Sequence, residues 1–345
     1  MSSKPTIAID SYGGETSPDR ALAAAAALSL SGRVRVVLVG DASELNTKLS
    51  ALSYDPAHLR LVDAKTPYPR NTGDHLAAHR ALKQTLPVCF QQLLEGEADA
   101  LVTAAPEQLV WEAAIAHSEP LRPGLEPALA AVIPTVPRSS SDDPFALLLD
   151  VSGRGVTDAS SLLTWSIFGS TYSRVVSGVR QPQLALLSTG RDRTQGPPAV
   201  VEAHQGLQRR GDIQFVGNIH AVDIPRGFAD VVVCDGFTGN AVRGVLEGVT
   251  QLTVEAARYA WRSKIAWRAG LRLLSSGVGM LRQVSEFQKY GGAPILGLKH
   301  LVFVTKEDAS QSALENSVRL AAKCVDRQLI ASITAALDAA QLERQ

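Results

Sequence analysis

Cysteine is scarce, and the three present, Cys89, Cys234 and Cys324, stand far apart with no CxxC spacing and no companion histidines. That excludes a disulfide framework and a cysteine-built zinc site, and it leaves reduced thiols of the kind a cytosolic protein carries. A net charge is missing too, since 34 Lys and Arg balance 34 Asp and Glu. Without a global field nucleic acid is not an expected partner, and any basic function must be local. No uninterrupted apolar run reaches the ~18 residues a membrane span needs. The start, Met1 to Pro5, enters the strand-like Thr6–Asp10 directly and lacks the charged-then-apolar layout of a signal peptide. A cytoplasmic protein is the expectation, peripheral at most to the inner face of a membrane.

The common signatures of chemistry are absent as well. No stretch fits the Walker phosphate loop or GxGxxG, so neither ATP nor NAD has support, and no cofactor is expected. There is no GxSxG nucleophile elbow. The histidines (His58, His75, His79, His117, His204, His220 and His300) show neither HExxH nor another metal spacing, so no metal is expected.

What is present is a large apolar content, 45% of 345 residues, enough for a substantial core. Short apolar runs alternate with helical stretches. Strands are expected at Thr6–Asp10, Arg35–Gly40, Ala98–Thr103, Ala128–Ile133, Ala146–Val151, Gln183–Ser188, Ile213–Val216, Ala229–Cys234 and Leu301–Thr305. Continuous runs such as Val36-Val37-Leu38-Val39 and Val231-Val232-Val233 are the mark of strands buried on both faces. The pattern predicts one α/β domain over residues 1–345, a mainly parallel sheet covered by helices, with ligands at the strands' carboxyl ends.

Three glycine turns join strands to helices or to each other: Asp10 to Glu15 with Gly13 and Gly14, Asp235 to Asn240 with Gly236 and Gly239, and Tyr290 to Gly297 with Gly291 and Gly292. Glycine removes the Cβ that would keep an anion from backbone amides. A further stretch, 250–289, carries Arg258, Arg262, Lys264, Arg268, Arg272, Arg282 and Lys289 against only Glu255 and Glu286, with Trp261 and Trp267 among them. It reads as an amphipathic helical hairpin broken near Ser275-Ser276-Gly277. Its basic side is either a solvated face over a core-facing stripe or a contact for an acidic protein or anionic lipid, through Arg262, Lys264, Arg268 and Arg272.

In order and spacing the three turns resemble the PlsX family of acyl-ACP:phosphate acyltransferases. The family patterns D-x-M-G-G-D, F-x-G-N…D-I-x-x-G-x-A-D-V-V-V-x-D-G-F-x-G-N and Y-G-G-A-P-L-L-G-L correspond to Asp10–Glu15, Phe215–Asn240 and Tyr290–Leu298. The resemblance implies a homodimer, a three-layer α/β/α sandwich related to phosphotransacetylases and isocitrate dehydrogenases, and transfer of a fatty acyl group from acyl carrier protein to inorganic phosphate for phospholipid synthesis. It implies catalytic roles for Asp235, Asn240 and Asn218. Phosphate or substrate would be bound at Asp10, Gly13, Gly14, Gly236, Gly239, Tyr290, Gly291 and Gly292. Phosphate is already an oxyanion nucleophile at neutral pH, so no relay is needed to activate it.

Several family loops are altered. S-A-G-N-T-G-A is Thr103 to Leu109 here, with Pro106 removing a donor and Glu107 adding negative charge; D-V-G-A-N is Asp150-Val151-Ser152-Gly153-Arg154. The lysine-bearing G-E-E/D-x-x-K-G loop is Gly190 to Gly196, and the late H-G-S/N loop is Lys306-Glu307-Asp308. Arg154, Arg191, Arg193 and Lys306 could rebuild an anion site. Two readings follow: an enzyme with altered substrate use, or a degenerate paralogue that binds acyl carrier protein or another partner.

Overall fold

The computed structural model describes residues 4–14, 17–64, 75–136, 144–155, 157–263 and 291–342. The chain packs into two compact units, Met1–Pro127 with Gln288–Gln345 (unit 1) and Ala128–Phe287 (unit 2).

Unit 1 holds strands β1 (Thr6–Asp10), β2 (Arg35–Gly40), β3 (Leu59–Asp63), β4 (Ala100–Thr103), β10 (Ala293–Leu296) and β11 (Leu301–Val304), in spatial order β3-β2-β1-β4-β11-β10. All neighbours are parallel except β10 and β11. Helices α1 (Ser17–Ser31), α2 (Ala42–Leu49), α3 (His75–Leu94), α4 (Glu107–His117), α8 (Gln311–Asp326) and α9 (Leu329–Leu342) complete it. α1 packs with α8, and α3 with α4, each pair lying on the central strands. Ile7, Ala8 and Ile9 of β1 have no exposure, as a strand covered on both faces requires.

Unit 2 holds β5 (Ala128–Pro134), β6 (Phe145–Leu149), β7 (Gln183–Leu187), β8 (Gln214–Ile219) and β9 (Val231–Val233), in order β5-β6-β9-β7-β8. β5 runs against β6, and the other pairs are parallel. α5 (Ala159–Tyr172) is apolar nearly all round and sinks Leu162, Trp165 and Phe168 against the sheet beside α6 (Pro198–Gln208). Helix α7 (Gly236–Ser263) leaves β9 and runs 28 residues. The fold class is therefore the expected one, a largely parallel α/β sandwich.

Among the described residues no helix is long and apolar enough to cross a membrane. The expected hairpin begins as the last half of α7. Its predicted break near Ser275, and Lys264, Arg268 and Arg272, lie outside the described residues, as do Glu15 and Tyr290.

Candidate functional site

Parallel strands place their carboxyl ends on one side, so each unit gathers loops at one end of its sheet. In unit 1 the loops after β1, β4 and β11 meet there. Asp10 is buried, its Oδ1 accepting from the Tyr12 amide at 2.9 Å and its Oδ2 from the Thr103 hydroxyl at 3.1 Å. Thr103 Oγ1 in turn accepts from the Ala105 amide at 3.0 Å. Gly13 lies so close to this loop that a Cβ on it would stand 2.5 Å from the Ala104 nitrogen, and one on Gly14 would stand 2.8 Å from the Glu307 carbonyl oxygen. A Cβ on Gly292 would stand 3.0 Å from the Val304 carbonyl oxygen at the same end, and Gly291 holds a positive φ of 117°. The glycines here bring loop onto loop. Pro106 precedes α4 without a side-chain cap, and Glu107 opens that helix. Lys306 is half-buried beside the exposed Glu307 and Asp308.

Unit 2 is arranged differently. Asp150, at the end of β6, has no exposure. Its Oδ1 accepts from the amides of Leu129 and Ser152 at 2.8 and 2.9 Å; its Oδ2 accepts from Ser152 Oγ at 2.6 Å and Arg154 Nη2 at 3.3 Å. Gly153, at φ 73°, turns the loop so that its amide donates to the Gly236 carbonyl at 3.1 Å. The start of α7 is thereby pressed onto the end of β6. A Cβ on Gly236 would lie 2.8 Å from both Asp150 Oδ2 and Ser152 Oγ, and one on Gly239 would overlap the Asp150 carbonyl oxygen. Both glycines therefore serve this packing.

Asp235 caps α7: Oδ1 accepts from the Thr238 amide at 2.9 Å and Oδ2 from the Thr238 hydroxyl at 2.6 Å. Asn240, one turn on, is exposed, and its Oδ1 accepts from Arg243 at 2.8 Å while its Nδ2 faces Gly153. Asn218 is buried and doubly engaged, with His204 Nδ1 at 2.8 Å and the Asp192 carbonyl at 3.1 Å. It fastens the Gly190–Gly196 loop to β8. In that loop Arg191 donates to both oxygens of buried Asp223 at 3.0 Å and lies 4.9 Å from the centre of the Phe228 ring. Arg193 is exposed.

Both carboxylates that meet these arginines are buried, Asp150 at 0% and Asp223 at 2% side-chain exposure, whereas Arg154 keeps 33% and Arg191 55%. The anions are inside, and the arginine side chains remain partly exposed. Such an edge offers planar donors to an incoming anion.

The cysteines supply no thiolate. Burial pushes Cys234 well above its ordinary range, and the charges of Asp235 and Asp150 add to that. Burial, then the charge of Asp10, does the same to Cys89, and burial pushes Cys324 up to about 12. Among the described residues no group of three His, Cys, Asp or Glu side chains is arranged to hold a metal ion.

The family described as fatty acid synthesis protein matches residues 5–332. The chain belongs to this family, PlsX. PlsX relatives include the phosphate acyltransferase of Gloeothece citriformis, 27% identical with 100% of this chain and 97% of that protein covered. That of Nostoc punctiforme is 28% identical, with 96% of each covered. Among solved structures, a phosphotransacetylase from Streptococcus pyogenes superposes with a TM-score of 0.59 at 15% identity, covering 94% of each chain. The fold of this PlsX member is thus the phosphotransacetylase fold.

Sequence reasoning placed Arg154 and Arg191 in the anion set but passed over Asp150 and Ser152. The signal was available: an aspartate directly after Leu147-Leu148-Leu149 sits at a buried strand's end, and a serine two residues on is within reach of its carboxylate.

Proposed function

We propose that this protein is a phosphate acyltransferase moving a fatty acyl group from acyl carrier protein to inorganic phosphate, with the carboxyl end of unit 2 binding the phosphate. One observation carries the reading: Arg154, paired with buried Asp150 beside the start of α7, and Arg191, paired with buried Asp223, each keep part of the side chain exposed. Phosphate needs donors that hold it against the acyl carbonyl, and fixed dipoles that stabilise the tetrahedral oxyanion. Arg154 and Arg193 suit the first task; Asn240 and the first amides of α7 suit the second. Asp235 and Asn218 contribute by holding α7 and the Gly190–Gly196 loop. Asp10, Gly13, Gly14, Gly291 and Gly292 hold the loops of unit 1 together. The names of the PlsX relatives support the same activity.

For the partners we propose a homodimer and an acidic carrier protein. Val245, Val249, Leu252, Ala256 and Tyr259 recur along α7 at spacings of four, three, four and three, which is the seam of a coiled coil. Val245, Val249, Leu252 and Tyr259 are all more than half exposed. A second copy of the helix would cover them, and Val249→Asp with Leu252→Asp should yield a monomer in light scattering. Arg262, with Lys264, Arg268 and Arg272 in sequence after it, would steer an acidic carrier protein or an anionic membrane surface.

The test of activity is hydroxylamine trapping of acyl phosphate from a long-chain acyl carrier protein. Acyl hydroxamate should form in proportion to added phosphate. Pro106 and Glu107 at the start of α4 favour a second reading, a partner-binding paralogue without catalysis. No hydroxamate, beside an active relative in the same assay, would establish that reading instead.

A further inference from the structure

One nucleophile at the carboxyl end of unit 2 has no counterpart in the family pattern, which puts glycine at its position: Ser152. Its Oγ donates to Asp150 Oδ2 at 2.6 Å, the length of a charge-assisted O–H···O bond. Arg154 Nε donates to Ser152 Oγ at 3.1 Å. Because the amides of Leu129 and Ser152 fix the other carboxylate oxygen, Oδ2 is held on the hydroxyl. A hydroxyl with a fixed carboxylate on its proton and a guanidinium on its oxygen has the parts of an activated nucleophile. Ser152 is only half-buried. The thiols are no rivals, since all three cysteines are buried.

We propose that Ser152 accepts the acyl group as an ester and passes it to phosphate, a step that rests on the activity proposed above. Ser152 Oγ adds to the thioester carbonyl carbon while its proton passes to Asp150 Oδ2. The carbon–sulfur bond then breaks, and the sulfur takes that proton and departs as the thiol. Next, an oxygen of hydrogen phosphate adds to the ester carbonyl. The carbon–Oγ bond breaks, the phosphate proton returns by way of Asp150 to Oγ, and acyl phosphate leaves.

The experiment mixes the full-length protein with a long-chain acyl thioester of pantetheine in phosphate-free buffer, quenches in acid and maps peptides by mass spectrometry. One acyl increment on the peptide containing Ser152, discharged as acyl phosphate when inorganic phosphate is added, is the expected result. Ser152→Ala should lose the adduct and slow acyl phosphate formation about a hundredfold or more, the scale of a lost catalytic group. Ser152→Cys keeps a nucleophile in place should the alanine variant not fold, and its adduct should be a thioester cleaved by neutral hydroxylamine. Acyl phosphate formed with no adduct, or at the parent rate by Ser152→Ala, overturns the serine route and leaves the activity standing. An adduct that phosphate does not discharge supports Ser152 as acceptor and removes the phosphate activity instead.

Discussion

The two units end their parallel strands in different ways. At the end of unit 1 the loops close on each other through backbone, with Gly13 against Ala104 and Ala105 and Gly14 against Glu307. The loops after β1, β4 and β11 bring Asp10, Glu107, Lys306, Glu307 and Asp308 to this end, mostly acidic, with Arg20 of α1 donating to the Asp308 and Ala309 carbonyls. At the end of unit 2 the acidic groups Asp150 and Asp223 are buried, and their arginine partners stay partly exposed. The ends of parallel strands thus yield an acidic, tightly closed edge in one unit and a cation-presenting edge in the other. Where buried charge is paired with exposed charge of opposite sign, the exposed partner decides what can bind.

The strongest way to break this contrast is Asp150→Ala. It strips acceptors from Leu129, Ser152 and Arg154 together, and losing one partner of a buried ion pair costs about 3–5 kcal/mol. Urea unfolding should show that loss; a variant as stable as the parent would mean that Asp150 does not organise the end of β6. Next comes Gly239→Ala, whose methyl would overlap the Asp150 carbonyl. Overpacking of this kind costs roughly 1–3 kcal/mol. Gly155→Ala, with nothing within 4 Å, is the control and should leave the melting temperature close to that of the parent. Equal melting temperatures for the two variants would show that α7 does not press on β6.

A smaller effect belongs to Asp158, which caps α5 by accepting from the Ser161 amide at 2.7 Å. That hydrogen bond holds its carboxyl below the ordinary range. The folded value is depressed, so the stabilisation is complete above the unfolded carboxylate value and fades as pH falls through the folded one. Asp158→Ala should cost about 1 kcal/mol at neutral pH. The gap to the parent should close at acid pH in denaturant titrations, and a gap independent of pH would contradict the capping role.

Much of this architecture was legible. The unbroken Val and Leu runs of β2 and β9 marked buried strands, because both faces of a covered strand must be apolar. Two strands were not legible. Arg60 and Asp63 interrupt β3, and β10 is hidden in a glycine turn with Pro294 inside it, tolerable beside β11 because that pair is antiparallel and local. The turn Asp235–Asn240 was read as a loop ahead of a helix, yet α7 begins at Gly236, so its glycines lie in the first helical turns. Sequence alone gives no sign of that, because the reason is the approach of Asp150 from a strand about 85 residues earlier. The pairing of Arg154 and Arg191 with buried carboxylates was equally hidden, since it depends on which partner is buried.

The account turns on Arg154 as the principal cationic contact for phosphate. Steady-state hydroxylamine trapping across a range of phosphate concentrations, on the parent, Arg154→Met and Lys306→Met, tests it most directly. A lost hydrogen bond to a charged group corresponds to roughly ten- to a hundredfold in affinity. Arg154→Met should therefore raise the KM for phosphate by about that factor, with the KM for the acyl donor little changed, and by more than Lys306→Met does. A phosphate KM unchanged in Arg154→Met, or raised more by Lys306→Met, would contradict the assignment of phosphate to the edge of unit 2.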